Sequence, residues 1–426
     1  MRRVWGGIIL ASLLAAGPAL AATIELNYFY PVGVSGPLTT LMNGLVEEFN
    51  KSQAEIRVQP TYAGDYSQTR IKVQAAVVGG APPDVVVLGA TDLYTMKVLD
   101  AIIPLDDFLA REGKDYLEDF FPAFLLNSRL DGKIWSIPFQ RSTPILYYNK
   151  DAFKKAGLDP DKPPKTWDEL VAFAKKLMVK DAAGNVTQWG VSIPTSCTNC
   201  TYWLFQGFVH QAGGKYFEPD GKKVHLTSAA AKDGMRLWHD LAYTHQVMAK
   251  GVIAWQTVAN DFLAQKVAMF YHSTGSLGHI RNNAQFAFGT ALMPAKTSYG
   301  SPTGGANFYI FKNIPRERQE AAWKFIAWMT KPERAAKWSI DSGYIAIRKS
   351  AYQTPLMRDF LAKWPQYLVA REQLQYAQTE LMTYDNEKIY EIINTMAQAV
   401  MTGRAAPEAA LESAQKQADE ALGKFK

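Results

Sequence analysis

The sequence predicts an α/β protein built from two lobes. Short apolar runs alternate with segments whose apolar residues recur at helical spacing, which is the pattern of strands and helices packed in layers. At 426 residues the chain is long enough for two lobes of ordinary domain size. Its composition, with 48% hydrophobic and 20% charged residues, is typical of a globular protein and not of a disordered one.

The first residues have the features of a secretory signal peptide. Arg2 and Arg3 form a short basic start, residues 4–16 form an apolar stretch, and small residues precede a cleavage point between Ala21 and Ala22. The apolar stretch is shorter than the roughly 20 residues that span a bilayer, which argues against an uncleaved anchor. No cysteine stands at the cleavage point to carry a lipid. We therefore expect cleavage near Ala21/Ala22 and a free periplasmic protein.

Alternating strands and helices predict the first lobe. Residues 24–29 and 56–58 are predicted strands, and a third strand at 85–88 follows a turn rich in Gly and Pro. Between the first two strands, the apolar residues recur on one helical face. These residues are Leu38, Leu41, Met42, Leu45, Val46 and Phe49.

A helix with a predicted cap begins the second lobe. Thr166 is placed to cap this helix, while Glu169 is expected to reach back to the cap. Later in the chain, residues 262–269 are predicted to be a helix end that leads into a strand. Residues 308–311 are a further predicted strand, and apolar residues on one side of the C-terminal segment predict a final helix. Those apolar residues are Leu411, Ala414, Ala418, Leu422 and Phe425.

Several function classes are excluded by the composition and the motifs. The 46 basic and 40 acidic residues give a mild charge without a long basic run, which argues against a nucleic-acid partner. The six histidines do not combine with cysteines or acids in a familiar metal-ligand spacing. Motifs of hydrolases, metalloproteases and phosphate-binding loops are absent from the sequence. We therefore expect no catalytic residues, no metal and no cofactor.

Two cysteines, Cys197 and Cys200, form a Cys-x-x-Cys pair. In an exported protein the pair predicts a disulfide. A secreted thioredoxin-type redox protein is the alternative, but that motif normally opens a helix directly after a strand, and here it follows a polar segment. Zinc would need two further ligands, and no matching Cys or His pair is present in the sequence.

Residues 144–170, from Pro-Ile-Leu-Tyr-Tyr-Asn-Lys-Asp to Lys-Thr-Trp-Asp-Glu-Leu, resemble the crossover strand and following turn of bacterial binding proteins. The resemblance is to extracellular solute-binding protein family 1 of ABC importers, and within it to the glycerol-phosphate binders. It covers essentially the whole mature chain. It implies a two-lobed, maltose-binding-protein-like fold with a ligand cleft between lobes joined by hinge strands. The implied lobes are residues 22–142 with 303–342, and 143–302 with 343–426.

This resemblance implies a carrier and not a catalyst. In such proteins the lobes close over a ligand, and the membrane permease with its ATPase distinguishes the closed form from the open one. The resemblance implies sn-glycerol-3-phosphate or a glycerophosphodiester such as glycerophosphocholine as the ligand. It also implies a monomer that delivers the ligand to the permease. A sugar or oligosaccharide is the alternative ligand.

Five positions match the ligand-contacting residues of the glycerol-phosphate binders. Hydroxyl groups and a glycine N–H can surround phosphate oxygens with hydrogen-bond donors. The matching residues are Tyr66, Ser142, Ser273, Gly305 and Tyr344.

Two other positions depart from the family pattern. Gly89 stands where the glycerol-phosphate binders have a glutamate, and Tyr390 stands where they have a phosphate-contacting arginine. Asp92 and Arg141 are the candidate replacements for that carboxylate and that positive charge. Tyr390 could instead face a quaternary ammonium, which would suit a glycerophosphodiester.

Aromatic residues also support the alternative of a sugar ligand, because pyranose rings stack on aromatic faces. Trp203 and Trp255 are expected near the cleft.

Overall fold

The computed structural model describes residues 22–197 and 200–425, and the predicted signal peptide lies outside the described residues. The fold is α/β, as predicted. Its strands, in chain order, are β1 Ile24–Tyr30, β2 Ile56–Tyr62, β3 Val85–Gly89, β4 Arg129–Leu130, β5 Lys133–Ile134, β6 Ile137–Ser142, β7 Pro144–Asn149, β8 Val179–Lys180, β9 Val186–Gln188, β10 Met269–Ser273, β11 Phe288–Ala291, β12 Ser301–Pro302, β13 Gly304–Ile310 and β14 Ala377–Gln378.

Eighteen α-helices surround these strands in the described part of the chain. The first eight are α1 Leu38–Ser52, α2 Tyr66–Val78, α3 Leu93–Val98, α4 Asp106–Glu112, α5 Lys114–Glu118, α6 Pro122–Leu125, α7 Lys150–Lys155 and α8 Trp167–Leu177. The others are α9 Thr201–Gln211, α10 Ala229–Ala242, α11 Trp255–Leu263, α12 Leu277–Asn283, α13 Arg316–Met329, α14 Pro332–Ser342, α15 Pro355–Lys363, α16 Leu368–Gln373, α17 Asn386–Met401 and α18 Pro407–Gly423.

A five-stranded sheet in the order β2-β1-β3-β13-β6 forms the first lobe. Strand β1 runs parallel to β2 and β3, whereas β13 runs antiparallel to β3 and β6. All five residues of β3 are buried, as expected for a central strand covered by helices on both faces. Helix α1 turns Met42, Leu45 and Phe49 to the core, which confirms the helical face predicted from their spacing.

A smaller antiparallel sheet, β10-β7-β11, forms the second lobe. Its core contains apolar residues of helices α8, α9, α10, α17 and α18. Helix α9 is buried along its whole length, which is why its sequence lacks a polar face. Thr166 caps α8 as predicted, since its hydroxyl accepts the Glu169 N–H at 3.1 Å. The prediction that the Glu169 side chain reaches back to Thr166 is wrong, because this side chain accepts the N–H of Lys165 instead.

The chain passes between the two sheets at Thr143, which separates β6 from β7. The chain returns to the five-stranded sheet between β12 and β13. After α14 it comes back to the end of β6, where Ile345 forms a β-bridge with Arg141. Tyr344 and Ile345 still pack in the core of the first lobe. Further along the chain, α17 and α18 pack in the core of the second lobe. The residue boundaries of the lobes remain a prediction.

Candidate ligand-binding site between the lobes

A cavity of about 360 Å³ lies between the two lobes and is lined by residues of both. Seven of the eight ligand-binding residues predicted from the sequence are in its wall. These are Tyr66, Asp92, Ser142, Ser273, Gly305, Tyr344 and Tyr390. They come from separate strands, turns and helices, so only the folded chain brings them together. Their contact with a ligand remains a prediction.

Two tyrosines form a hydroxyl pair in the wall. The hydroxyls of Tyr66 and Tyr344 are 3.0 Å apart. Tyr66 opens α2, and Asp65 fixes that end of the helix by capping it. Gly33 leaves room for the ring, since a Cβ there would lie 2.4 Å from an atom of the Tyr66 ring. Burial raises the pKa of Tyr344 to about 12 and that of Tyr66 well above its usual value, so both hydroxyls keep their protons and can donate.

Gly305 brings its backbone into the wall in a conformation that a side chain would prevent. Its φ angle is +101°, and a Cβ would lie 1.7 Å from the carbonyl oxygen of Gln140 on the neighbouring strand. In the pairing of β13 with β6, the preceding residue Gly304 lies opposite Ser142, the last residue of β6. Ser273 ends β10 in the other lobe, and its hydroxyl accepts the N–H of Gly275 at 3.1 Å. Small polar groups thus approach the cavity from both sheets.

Asp92 belongs to a buried ion-pair network at one side of the cavity. Its Oδ1 lies 3.1 Å from Nη1 of Arg70, and the other guanidinium nitrogen of Arg70 pairs with Glu387. Burial raises the pKa of Asp92, although Arg70 opposes that rise. Arg70 comes from α2 of the first lobe and Glu387 from α17, which packs in the core of the second. The pair with Glu387 therefore also joins the lobes across the cleft.

Arg141, the eighth predicted residue, lies outside the cavity wall. Its side chain is fully buried, and Nη1 donates to Oδ1 of Asn307 at 3.3 Å. The guanidinium also lies 5.3 Å from the centre of the Phe124 ring. Burial lowers the pKa of Arg141 to about 10, so the side chain remains charged at neutral pH. Its Nε and Nη2 are buried and have no hydrogen-bond partner among the described residues. Arg141 can therefore act on the cavity through its charge, and its contact with a ligand remains a prediction.

Aromatic rings line the second-lobe side of the cavity. The rings of Tyr202 and Tyr390 are stacked, with centroids 3.6 Å apart and an angle of 2° between their planes. Trp203 is fixed by its Nε1, which donates to the carbonyl of Thr303 at 2.8 Å. Trp255 also lines the cavity, and no hydrogen-bond partner of its buried Nε1 is found among the described residues. The positions expected for Trp203 and Trp255 near the cleft are confirmed.

Glu380 is a buried carboxyl group in the wall that the sequence analysis did not identify. Its Oε1 accepts the Tyr202 hydroxyl at 2.7 Å. Burial raises the pKa of Glu380 to about 8, and the positive charge of Arg141 opposes this effect. Glu380 follows the two-residue strand β14 in a segment without helical or strand periodicity. No local pattern marks this position, so its burial depends on contacts that form only in the folded chain.

The Cys197–Cys200 disulfide is present and also lines the cavity. Cys200 is the residue directly before α9, the helix that carries Tyr202 and Trp203. The backbone N–H of Cys197 donates to Oδ1 of Asn394 in α17 at 3.3 Å. The disulfide thus lies at the end of the helix that supplies two of the aromatic rings.

The comparison with protein families decides the class of this chain. The family described as bacterial extracellular solute-binding protein matches residues 44–368. The chain belongs to this family. Members bind solutes for ABC importers and are not enzymes, so the chain is a binding protein that functions outside the cytoplasmic membrane. None of the helices in the described ranges is long and apolar enough to cross a membrane.

Individual relatives agree with this family and this fold. The chain is 30% identical over 435 residues to the sn-glycerol-3-phosphate-binding periplasmic protein UgpB of Escherichia coli (strain 536), covering 97% of each protein. It is similar to the crystal structure of UgpB from Mycobacterium tuberculosis in complex with glycerophosphocholine, with a TM-score of 0.82 and 27% identity over 95% of this chain and 99% of that one.

A third comparison bears on the fold alone. A solute-binding protein from Thermotoga lettingae bound with α-D-tagatose matches with a TM-score of 0.79 and 23% identity, covering 94% of this chain and 100% of the other. Together with the Mycobacterium tuberculosis structure, it confirms the predicted two-lobed, maltose-binding-protein-like fold.

Proposed function

We propose that this solute-binding protein captures a glycerophosphodiester such as glycerophosphocholine, or sn-glycerol-3-phosphate, and delivers it to a membrane permease with its ATPase. One observation carries the proposal. The five residues that match the contact positions of glycerol-phosphate binders, on five different segments of the chain, line one cavity between the lobes. The names of the relatives support the same ligand class, because one binds sn-glycerol-3-phosphate and another was crystallised with glycerophosphocholine.

The chemistry of the wall suits a phosphodiester. The Tyr66 and Tyr344 hydroxyls and the serines Ser142 and Ser273 provide neutral donors that can surround two phosphate oxygens. Arg70, the one arginine among the described residues that line the cavity, is already paired with carboxylates. A monoester dianion would therefore meet little free positive charge, whereas a diester carries a single negative charge and needs less.

Lobe closure is the proposed signal to the permease. Residues 22–142 with 303–342 would move against residues 143–302 with 343–426, and a ligand that contacts both lobes favours the closed form. We further propose that the mature chain begins at Ala22 and acts as a monomer. Mass spectrometry of the exported protein would identify its first residue, and light scattering would give its mass in solution.

Titration calorimetry of the mature protein tests the ligand class. The panel consists of glycerophosphocholine, glycerophosphoglycerol, sn-glycerol-3-phosphate and a set of mono- and disaccharides. We expect heat from the glycerol compounds and none from the sugars. Tyr344→Phe should weaken that binding about tenfold by removing a hydroxyl from the cavity, which corresponds to about 1.4 kcal/mol. The matched control is Tyr62→Phe, because Tyr62 is 51% exposed at the surface.

A sugar or oligosaccharide is the second candidate ligand. The aromatic side of the wall favours it, since Trp203, Trp255 and the stacked pair Tyr202 and Tyr390 offer faces on which a pyranose ring can pack. Heat from a sugar and none from any glycerol compound would replace the first proposal with this one. The redox alternative for Cys197 and Cys200 requires disulfide exchange with a substrate protein, and the family assignment does not support it.

A further inference from the structure

Two carboxyl oxygens in the cavity wall have no hydrogen-bond partner among the described residues. They are Oδ2 of Asp92, whose other oxygen pairs with Arg70, and Oε2 of Glu380. Glu380 uses Oε1 to accept the Tyr202 hydroxyl, but its Oε2 is buried and unpaired. The backbone of Glu380 is fixed by Asn127, which donates to its carbonyl at 3.1 Å and accepts its N–H at 3.2 Å. The unpaired oxygen is therefore held in place before any ligand enters. A buried carboxyl oxygen without a partner is costly, so a ligand group that pairs with it gains affinity.

No ion pair to Glu380 is found among the described residues, although Glu380 and Arg141 act on each other through their charges. Arg70 is engaged by Asp92 and Glu387. Arg141 is the cation with the largest effect on the pKa of Glu380, but the effect of burial exceeds it and Arg141 lies outside the wall. When Glu380 is ionised, it and the two carboxylates that engage Arg70 outnumber the two arginines. The local balance is then negative, which favours a positively charged ligand group over an anionic one.

Aromatic rings line the same cavity as Glu380. Tyr202, which donates to Glu380, lies stacked on Tyr390, while Trp203 and Trp255 line the cavity from the same lobe. Aromatic rings attract cations at their faces, and quaternary ammonium groups are held in such boxes of rings. A carboxylate beside such rings adds charge attraction. The combination matches the headgroup of an amino-alcohol ester.

On the basis of the proposed function, we propose that Glu380 is a specificity-determining residue that receives the ammonium headgroup of a zwitterionic glycerophosphodiester. The rings of Tyr202 and Tyr390 form the adjoining wall, and the phosphate lies towards the hydroxyls of Tyr66, Tyr344, Ser142 and Ser273. The preferred ligands are then choline or ethanolamine esters. Glycerophosphoglycerol, which has a phosphodiester but no cation, binds more weakly.

Proton release accompanies this binding. Among the described residues, the charged and titratable groups that act on Glu380 are Arg141, Asp92, Tyr202, Tyr390, Tyr66 and Tyr309. The tyrosines keep their protons because burial raises their pKa values. Glu380 itself has a pKa of about 8 and is mainly protonated in the empty cavity at pH 7. An ammonium group beside it favours the ionised form. Binding therefore releases a proton, and affinity rises with pH until it levels off above about 8.

The test is calorimetry of the mature protein with glycerophosphocholine and glycerophosphoglycerol at pH 6, 7 and 8.5. Buffers of different ionisation enthalpy reveal the protons released. We expect the wild type to favour the choline ester by about tenfold at pH 8.5. Glu380→Gln keeps an oxygen for the Tyr202 hydroxyl, so it should fold while losing both the preference and the proton release. Glu391→Gln, at an exposed ion pair with Lys388, is the matched control and should behave as wild type.

Three outcomes overturn this inference. If Glu380→Gln keeps the preference for the choline ester, Glu380 does not select the headgroup, although the proposed function stands. If wild-type affinity falls as pH rises, the carboxyl donates its proton to a ligand anion instead. If the wild type binds neither glycerol ester, both the inference and the proposed function fail together, and the sugar results of the panel then identify the replacement.

Discussion

Replacing Gly305 with alanine should damage both the fold and the site. Its φ angle of +101° lies in a region that costs an L-residue about 1–2 kcal/mol. The new Cβ would also lie 1.7 Å from the carbonyl oxygen of Gln140, and because that oxygen belongs to the backbone, strands β6 and β13 must separate. Forcing such extra volume into a packed site costs a further 1–3 kcal/mol or so. We expect a total loss of about 2–5 kcal/mol of unfolding free energy.

Gly132→Ala is the matched control for Gly305→Ala. Gly132 has a φ angle of +72°, in the hairpin between β4 and β5, and a Cβ there would have no atom within 4 Å. It should therefore lose only the cost of the backbone conformation, about 1–2 kcal/mol. The difference between the two variants isolates the effect of the overlap with Gln140.

Urea denaturation and calorimetry with glycerophosphocholine measure the two effects. Gly305→Ala should lower the denaturation midpoint more than Gly132→Ala. It should also weaken binding at least about tenfold, because the backbone of Gly305 would shift from its place in the cavity wall. Gly132→Ala should bind as wild type does. Equal losses of stability in both variants, with binding intact in both, would refute the argument that the close approach of β6 and β13 shapes the site.

Three further predictions concern buried groups. Removing the disulfide by Cys197→Ser with Cys200→Ser should cost about 2 kcal/mol for a loop this short, and a thermal midpoint that matches the wild type would contradict this. Burial lowers the pKa of His272 to about 3. The unfolded chain takes up this proton below about pH 6.5 and the folded chain does not, so His272 lowers stability by about 1.4 kcal/mol per unit as pH drops from 6.5 towards 3. His272→Asn should make the fall of the urea midpoint between pH 7 and 5 less steep, while His210, whose pKa burial lowers to about 4, keeps its own contribution. Asp92→Asn breaks a buried ion pair and should cost about 3 kcal/mol in urea denaturation, whereas Glu47→Gln, at an exposed ion pair, should leave the urea midpoint unchanged.

Periodicity predicted most elements because those elements bury one face or both. The face of α1 that carries Met42 and Phe49 is in the core, and the run at 85–88 is the fully buried strand β3. Strand ends were predicted less well. The second strand was expected at 56–58, but it extends to Tyr62, where the residues are exposed and no alternation marks the continuation. Pairing with β1, and not side-chain pattern, extends this strand.

The cavity was only partly predictable, for a physical reason. Ser142 and Gly305 could be placed from short motifs because strand ends and glycines leave local marks in the sequence. Glu380 leaves none, since its environment is created by Tyr202 and Asn127 from distant segments. Arg141 is the opposite case, because the sequence suggested a ligand contact from its position beside Ser142. Neighbouring side chains of a strand point to opposite faces, and Arg141 lies behind the cavity wall.

The division of the wall between the lobes explains how a ligand can shift the protein from the open to the closed form. The first lobe contributes the Gly305 backbone and the Ser142 hydroxyl, whereas the second contributes the aromatic faces of Tyr202 and Trp203. A fragment such as choline or glycerol contacts one set at most, so it binds the open and closed forms with nearly equal affinity and hardly shifts their ratio. Under the proposed function, an intact diester contacts both sets only when the lobes are closed. The difference between its affinities for the closed and the open form therefore includes contacts to both lobes. Closure then favours the intact diester over its fragments.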